Sequence, residues 1–90
     1  MLDAREKTVL LYLINFLTQK QYTPTIRELS KELRIDQRSV HGYLESLHNK
    51  GYIERTRKNS NSIYATIIRV LRLPDGTKVR LTFVPLDDNN

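Results

Sequence analysis

Arg38, His41, Gly42 and Glu45 stand at i, i+3, i+4 and i+7, with Gln37 and Ser39 beside them. On an α-helix those four positions share one face. That face carries a guanidinium, an imidazole, a carboxylate and one bare backbone position, groups suited to hydrogen bonds with planar polar edges. A second set lies downstream in Arg55-Thr56-Arg57-Lys58-Asn59-Ser60-Asn61. This run is short, cationic and rich in polar donors, which suits a phosphate strand or a narrow groove. A third is Thr25-Ile26-Arg27, where a helix start offers backbone N–H groups and a guanidinium to an anion. Paired carboxylates, a Ser/Lys or Ser/His arrangement at sensible spacing and a glycine-rich phosphate loop are all missing, so the expectation is no enzyme and no catalytic residue.

Each feature also has a plainer reading. The cations after Arg55 can be a solvated turn, Gly42 can make room for a neighbouring side chain, and His41 can be an ordinary surface residue. His41 and His48 are the two histidines, and without a third ligand or any cysteine they predict no metal site. Gly42 weighs more than the rest. Glycine inside a helix costs about 1 kcal/mol relative to alanine. At this position it lies away from the apolar stripe, so core packing does not call for it.

The chain of 90 residues holds 15 Lys+Arg against 10 Asp+Glu, a net charge of +5. The excess gathers between residues 51 and 73, where Arg55, Arg57, Lys58, Arg69 and Arg72 face Glu54 alone. A pI near 9.7 is a first cue for a nucleic-acid partner, weak when it stands by itself. No run approaches the ~18 apolar residues of a membrane span, and the N-terminus lacks the layout of a signal peptide. The expectation is a cytoplasmic protein without a cofactor.

Local signals place the elements. Asp3 with Glu6, and Thr25 with Glu28, have capping-box spacing. They predict helices over Ala4–Lys20 and Ile26–Leu33. Leu10, Leu13, Ile14 and Leu17 form the core face of the first, widened by Val9 and Phe16, while Leu11 and Tyr12 fall off it. Ile26, Leu29 and Leu33 face inward on the second. After the turn Arg34-Ile35-Asp36, a third helix over Gln37–Asn49 buries Val40, Leu44 and Leu47, and Lys50-Gly51 ends it. Beyond Gly51 the period drops to two. Strands are expected over Tyr52–Arg55, Ser62–Leu73 and Thr77–Val84, the last two joined by the turn Pro74-Asp75-Gly76. With Leu73 opposite Thr77, one face holds Ile67, Leu71, Leu73, Val79, Leu81 and Phe83, with Arg69 the exception to its apolar character. Ile68, Val70, Arg72, Lys78, Arg80 and Thr82 lie on the other.

Two short helices joined by a tight turn behind a longer helix make a helix-turn-helix, and a hairpin directly after makes it winged. The predicted class is therefore α+β: three helices, a β-hairpin wing and an additional C-terminal β-hairpin. In that frame the third helix enters a DNA major groove and the wing lies on the backbone or in the minor groove.

The residues also resemble a known family. Tyr22-Thr23-Pro24-Thr25-Ile26-Arg27-Glu28-Leu29, Ser39-Val40-His41-Gly42-Tyr43-Leu44, and Leu47 with Lys50-Gly51-Tyr52-Ile53-Glu54-Arg55 are similar to the N-terminal DNA-binding domain of LexA-type repressors. The resemblance covers residues 2–68. It implies a dimer on a two-fold double-stranded DNA site, and by position it puts Gln37, Arg38, Ser39, His41, Gly42 and Glu45 in the reading set. Two departures stand beside it. The family's Ser/Lys peptidase domain has no counterpart in these 90 residues, and neither does an Ala-Gly pair to cleave. The turn Asp36-Gln37-Arg38 is also more polar than the Ser/Thr-rich turn common in the family.

The expected organisation is a DNA-binding domain over 1–68, a hairpin extension over 69–86 packed on the same domain or at a dimer interface, and a frayed tail over 87–90. The expected function is a sequence-specific repressor of bacterial, phage or plasmid origin. Its DNA contacts are Thr25, Arg27, Gln37, Arg38, Ser39, His41, Gly42, Glu45, Arg55, Arg57, Lys58 and Asn59. The competing readings are a protein-interaction module, in which the C-terminal hairpin or the Leu11/Tyr12 face takes a regulatory partner, and an accessory protein that binds replication-origin DNA. The C-terminal hairpin is expected to cover Leu11 and Tyr12 or to pair two subunits.

Overall fold

The computed structural model describes residues 2–57 and 66–81, apart from the side chains of 56, 57, 66 and 67. Its order is α1 (Ala4–Lys20), α2 (Ile26–Leu33), α3 (Gln37–Asn49), β1 (Ile53–Arg57), β2 (Thr66–Arg72) and β3 (Lys78–Leu81).

All three helix ranges follow from local chemistry. Asp3 and Glu6 form the full capping box of α1, each side chain accepting from the other's backbone N–H at 2.8 and 3.0 Å. Thr25 and Glu28 repeat it on α2 at 2.9 and 3.0 Å. Each box satisfies two backbone donors at the helix start. Asp36 caps α3, a role not read from the sequence: its carboxylate accepts from the Ser39 N–H at 3.2 Å and from the Ser39 hydroxyl at 2.7 Å. Gln21 and Arg34 close α1 and α2 in left-handed conformations, at φ 62° and 56°. Gly51 takes φ 84° after α3, where glycine bears that conformation without strain.

The helices bury Val9, Leu10, Leu13, Leu17, Leu29, Val40, Leu44 and Leu47 completely. Each such side chain contributes roughly 1.5–3 kcal/mol of transfer free energy. Ile14, Ile26, Leu33, Ile35 and Tyr43 pack half-buried around them. The stripe on α3 is the one its spacing predicts.

Among the described residues there is one antiparallel sheet of order β1-β2-β3, in which β2 serves both hairpins as the expected strand over 62–73 does. The core face of β2, however, is the opposite of the expected one. Ile68 and Val70 are buried with Ile53 of β1, whereas Arg69 and Leu71 are exposed. A bulge explains how β3 still turns its own apolar residues inward. Arg72 pairs with Lys78 as expected, but Val70 pairs with Leu81, so Leu71 alone faces Val79 and Arg80. Such a one-residue shift exchanges the faces of a strand. Val79 and Leu81 consequently pack against the core beside Ile68 and Val70. Phe83, placed on the same face in the sequence reading, lies outside the described residues.

The cover expected over Leu11 does not form among the described residues: Leu11 is 51% exposed. Tyr12 is covered from elsewhere. Its ring lies 5.9 Å from that of Phe16 between centroids, tilted by 42°, and Phe16 meets Tyr22 edge-on at 5.3 Å. Burial raises the Tyr12 hydroxyl above its ordinary pKa, aided by the nearby carboxylates of Glu32 and Glu28.

Candidate nucleic-acid interface

The inner stripe of α3 decides what its other side presents. With Val40, Leu44 and Leu47 buried, Gln37, Arg38, His41, Gly42 and Glu45 emerge exposed on the opposite face, and Ser39 is half-buried beside Val40. At Gly42 an added Cβ meets nothing within 4 Å. Room for a neighbouring side chain is therefore not what the glycine supplies; the bare helix surface looks outward. Ser39 is less available than its position suggests, because its hydroxyl donates to Asp36. The two hydrogen bonds from Ser39 hold the Asp36 carboxyl below the usual carboxylate range.

At the start of α2 the capping box takes up the N–H groups of Thr25 and Glu28. Those of Ile26 and Arg27 remain at the helix end, with the Arg27 side chain exposed. The Glu28 carboxylate also sits at this end, so an anion here meets a negative charge that is already hydrogen-bonded to the backbone.

Arg55 is in a different situation from a solvated cation. Its side chain is only 12% exposed, and its Nη1 lies 3.2 Å from Oε1 of Glu45, which is 64% exposed. Its backbone N–H donates to Nδ1 of His48 at 3.4 Å. Two residues of α3 one turn apart therefore grip β1 at the same point. Arg57 is the last residue of β1, with its side chain outside the described set; Lys58 and Asn59 lie wholly outside it.

A second junction was missed in the sequence. Glu6, read as a capping residue, is 5% exposed and joins α1 to the C-terminal end of α3. Its carboxylate accepts from Ser46 Oγ, from Lys50 Nζ at 2.8 Å and from the Asp3 N–H. The bonds from Lys50 and Ser46 hold its pKa down to about 2 against burial, which acts the other way. The one available signal was Ser46 beside the inner stripe of α3, a polar group that needs a partner.

Among the described residues no group of three or more His, Cys, Asp or Glu can hold a metal ion. Among the described residues no helix is long and apolar enough to cross a membrane.

Comparison with known proteins bears on this arrangement. Residues 1–62 match the family model described as LexA DNA binding domain. A LexA repressor from Thermosipho africanus is 39% identical over 62 residues, which cover 69% of this chain and 31% of that protein. One from Pelotomaculum thermopropionicum is 34% identical over 86 residues, 94% of this chain and 40% of that protein. One from Thermotoga neapolitana is 32% identical over 83 residues, covering 92% and 38%. The chain thus spans well under half the length of these repressors.

Proposed function

Because the chain belongs to the LexA DNA binding domain family, with 1–62 as the matched residues, we propose that it is a transcriptional repressor that binds double-stranded DNA by sequence. The observation that carries this reading is the division of α3: a stripe fully buried against α1 and α2, and an outer face of Arg38, His41, Gly42 and Glu45 with open space over the glycine. A major groove admits a helix at this depth, and a bare backbone position lets it approach.

In this reading Gln37, Arg38 and His41 contact base edges and Gly42 sets the depth. Arg27, with the N–H groups beside Thr25, takes a phosphate, and Arg57, Lys58 and Asn59 take the backbone or the minor groove. One half-site offers few contacts, so two copies on a two-fold site supply the affinity and specificity of a repressor. Its working compartment is the one that holds the DNA, in a bacterial cell.

The test is selection from random duplex DNA by the purified protein at about physiological salt. An enriched two-fold motif supports a dimeric reader and gives the half-site spacing. A single enriched half-site supports DNA reading and refutes the dimer. No enrichment, with binding insensitive to salt, overturns the proposal in favour of a protein-interaction module, since cationic DNA binding falls steeply with salt.

A further inference from the structure

A carboxylate on a face turned toward a polyanion is costly unless something neutralises it and something else rewards it. Glu45 is in that position: it is 64% exposed on the outer face of α3. The structure supplies the neutralising group. Arg55, ten residues further on, reaches Glu45 from β1 at 3.2 Å, and its side chain is 12% exposed. A guanidinium so enclosed is poorly placed to lie on a phosphate. Oε1 is the oxygen that meets Arg55. A carboxylate accepts at both oxygens, so Oε2 can take a donor from outside. Cytosine presents such a donor, its N4 amino group, in the major groove.

We propose that Arg55 is a positioning residue, holding the Glu45 carboxylate so that it accepts from a cytosine amino group. This rests on the reading of α3 as the groove helix. The same contact has a structural consequence. Arg55 is two residues before the end of β1, and its N–H also meets His48, so the orientation of Glu45 and the direction in which β1 leaves α3 are set at one junction. Base reading by the helix and placement of the following segment are then coupled.

The experiment measures binding to the selected duplex and to duplexes changed at each base pair, at several salt concentrations. The proteins are the wild type, Glu45→Gln, Arg55→Gln, Arg55→Lys and the double Glu45→Gln/Arg55→Gln, each checked for its melting temperature. Glu45→Gln is expected to lose about tenfold discrimination at one C·G pair, a good base contact being worth roughly that or more. Arg55→Gln is expected to lose discrimination at the same pair with an unchanged salt slope. The double variant is expected to be no worse there than Glu45→Gln, as two residues acting through one contact are not additive. Arg55→Lys, which keeps the charge, is expected to recover part of the discrimination.

Three results overturn the proposal. In one, Arg55→Gln weakens every duplex alike and lowers the salt slope by about one unit, the mark of a phosphate contact. In another, Glu45→Gln leaves every base preference as it was. In the third, Arg55→Lys melts like the wild type but discriminates no better than Arg55→Gln. If the wild type prefers no duplex at all, the groove-helix reading itself fails, which is a different outcome from any of these.

Discussion

The two halves of α3 are treated differently by the rest of the molecule. The C-terminal half is tied down: Glu45 to Arg55, Ser46 and, just beyond the helix, Lys50 to Glu6, and His48 to the backbone of Arg55. The N-terminal half is capped by Asp36 and otherwise presents Gln37, Arg38, His41 and Gly42 to solvent. The helix is held at one end and offered at the other. In the proposed reading most recognition falls to the N-terminal half and the anchoring to the C-terminal half, with Glu45 serving both, so substitutions at Gly42 and at Glu6 should have separable effects.

The largest effect belongs to the tied half. Glu6→Ala takes the acceptor away from Ser46, Lys50 and the Asp3 N–H, and should cost about 2–4 kcal/mol, measured by thermal or urea unfolding. The pH dependence gives a finer check. The Glu6 pKa is about 2 in the folded protein against an ordinary 4.5. A depressed carboxylate pKa contributes stability that is complete above the unfolded value and lost as pH falls toward the folded one. Wild-type stability should therefore drop between about pH 4.5 and 2, with up to about 3 kcal/mol of the drop due to this group. Glu6→Gln should lack that part of the drop, and identical pH profiles would place the anchor elsewhere.

The offered half should respond in the opposite sense. Gly42→Val adds atoms where the protein has open space and replaces the poorest helix former short of proline. The melting temperature should hold or rise slightly. Binding to every duplex should fall about 10–100-fold, because a clash of about 1–3 kcal/mol is introduced at the closest approach. Undiminished binding would show that the glycine does not set the depth. Loss of both stability and binding would erase the distinction between the halves.

How much of this was legible depended on the range of the interactions involved. Helix limits are written within four residues, in Asp3 with Glu6, Thr25 with Glu28 and Gly51, and all three ranges agree with the sequence reading. The outer face of α3 was equally accessible, since it is the complement of Val40, Leu44 and Leu47. The sheet was not. Ile67, Ile68, Val70 and Leu71 are apolar on both faces of β2, so a period of two cannot choose between them. The bulge beside Leu71 then shifts β3 by a residue, and no local signal marks it. The contact between Arg55 and Glu45 was hidden for a related reason. Among Arg57, Lys58 and Asn59 the arginine reads as one more cation of a polar run. Only the angle at which β1 leaves α3 brings it back to Glu45.

Arg38 sharpens the comparison within the offered half. It is exposed in the first turn of α3, where a helix end reaches deepest into a groove. Arg38→Ala should relax preference at one base pair, at a cost of about 1–3 kcal/mol on the preferred duplex. Duplexes already changed at that pair should lose much less. Selection repeated with the variant checks this, and an unchanged motif would remove Arg38 from the reading set.

The smallest effect is expected off α3 altogether, at Arg27. A phosphate contact has no means of telling one base from another, so Arg27→Ala should weaken all duplexes by a similar factor. The slope of log affinity against log salt should become shallower by about 0.9, the contribution of one neutralised phosphate. The loss should stay modest because Glu28, at the same helix end, already offsets part of the local positive potential. Arg27 and Arg55 thus make a matched pair of arginines. Removing the exposed one should change the salt slope and leave the motif; removing the enclosed one should change the motif and leave the slope. If both substitutions changed the slope alike, the contact with Glu45 would not distinguish them, and the junction between α3 and β1 would be one more part of the phosphate-binding surface.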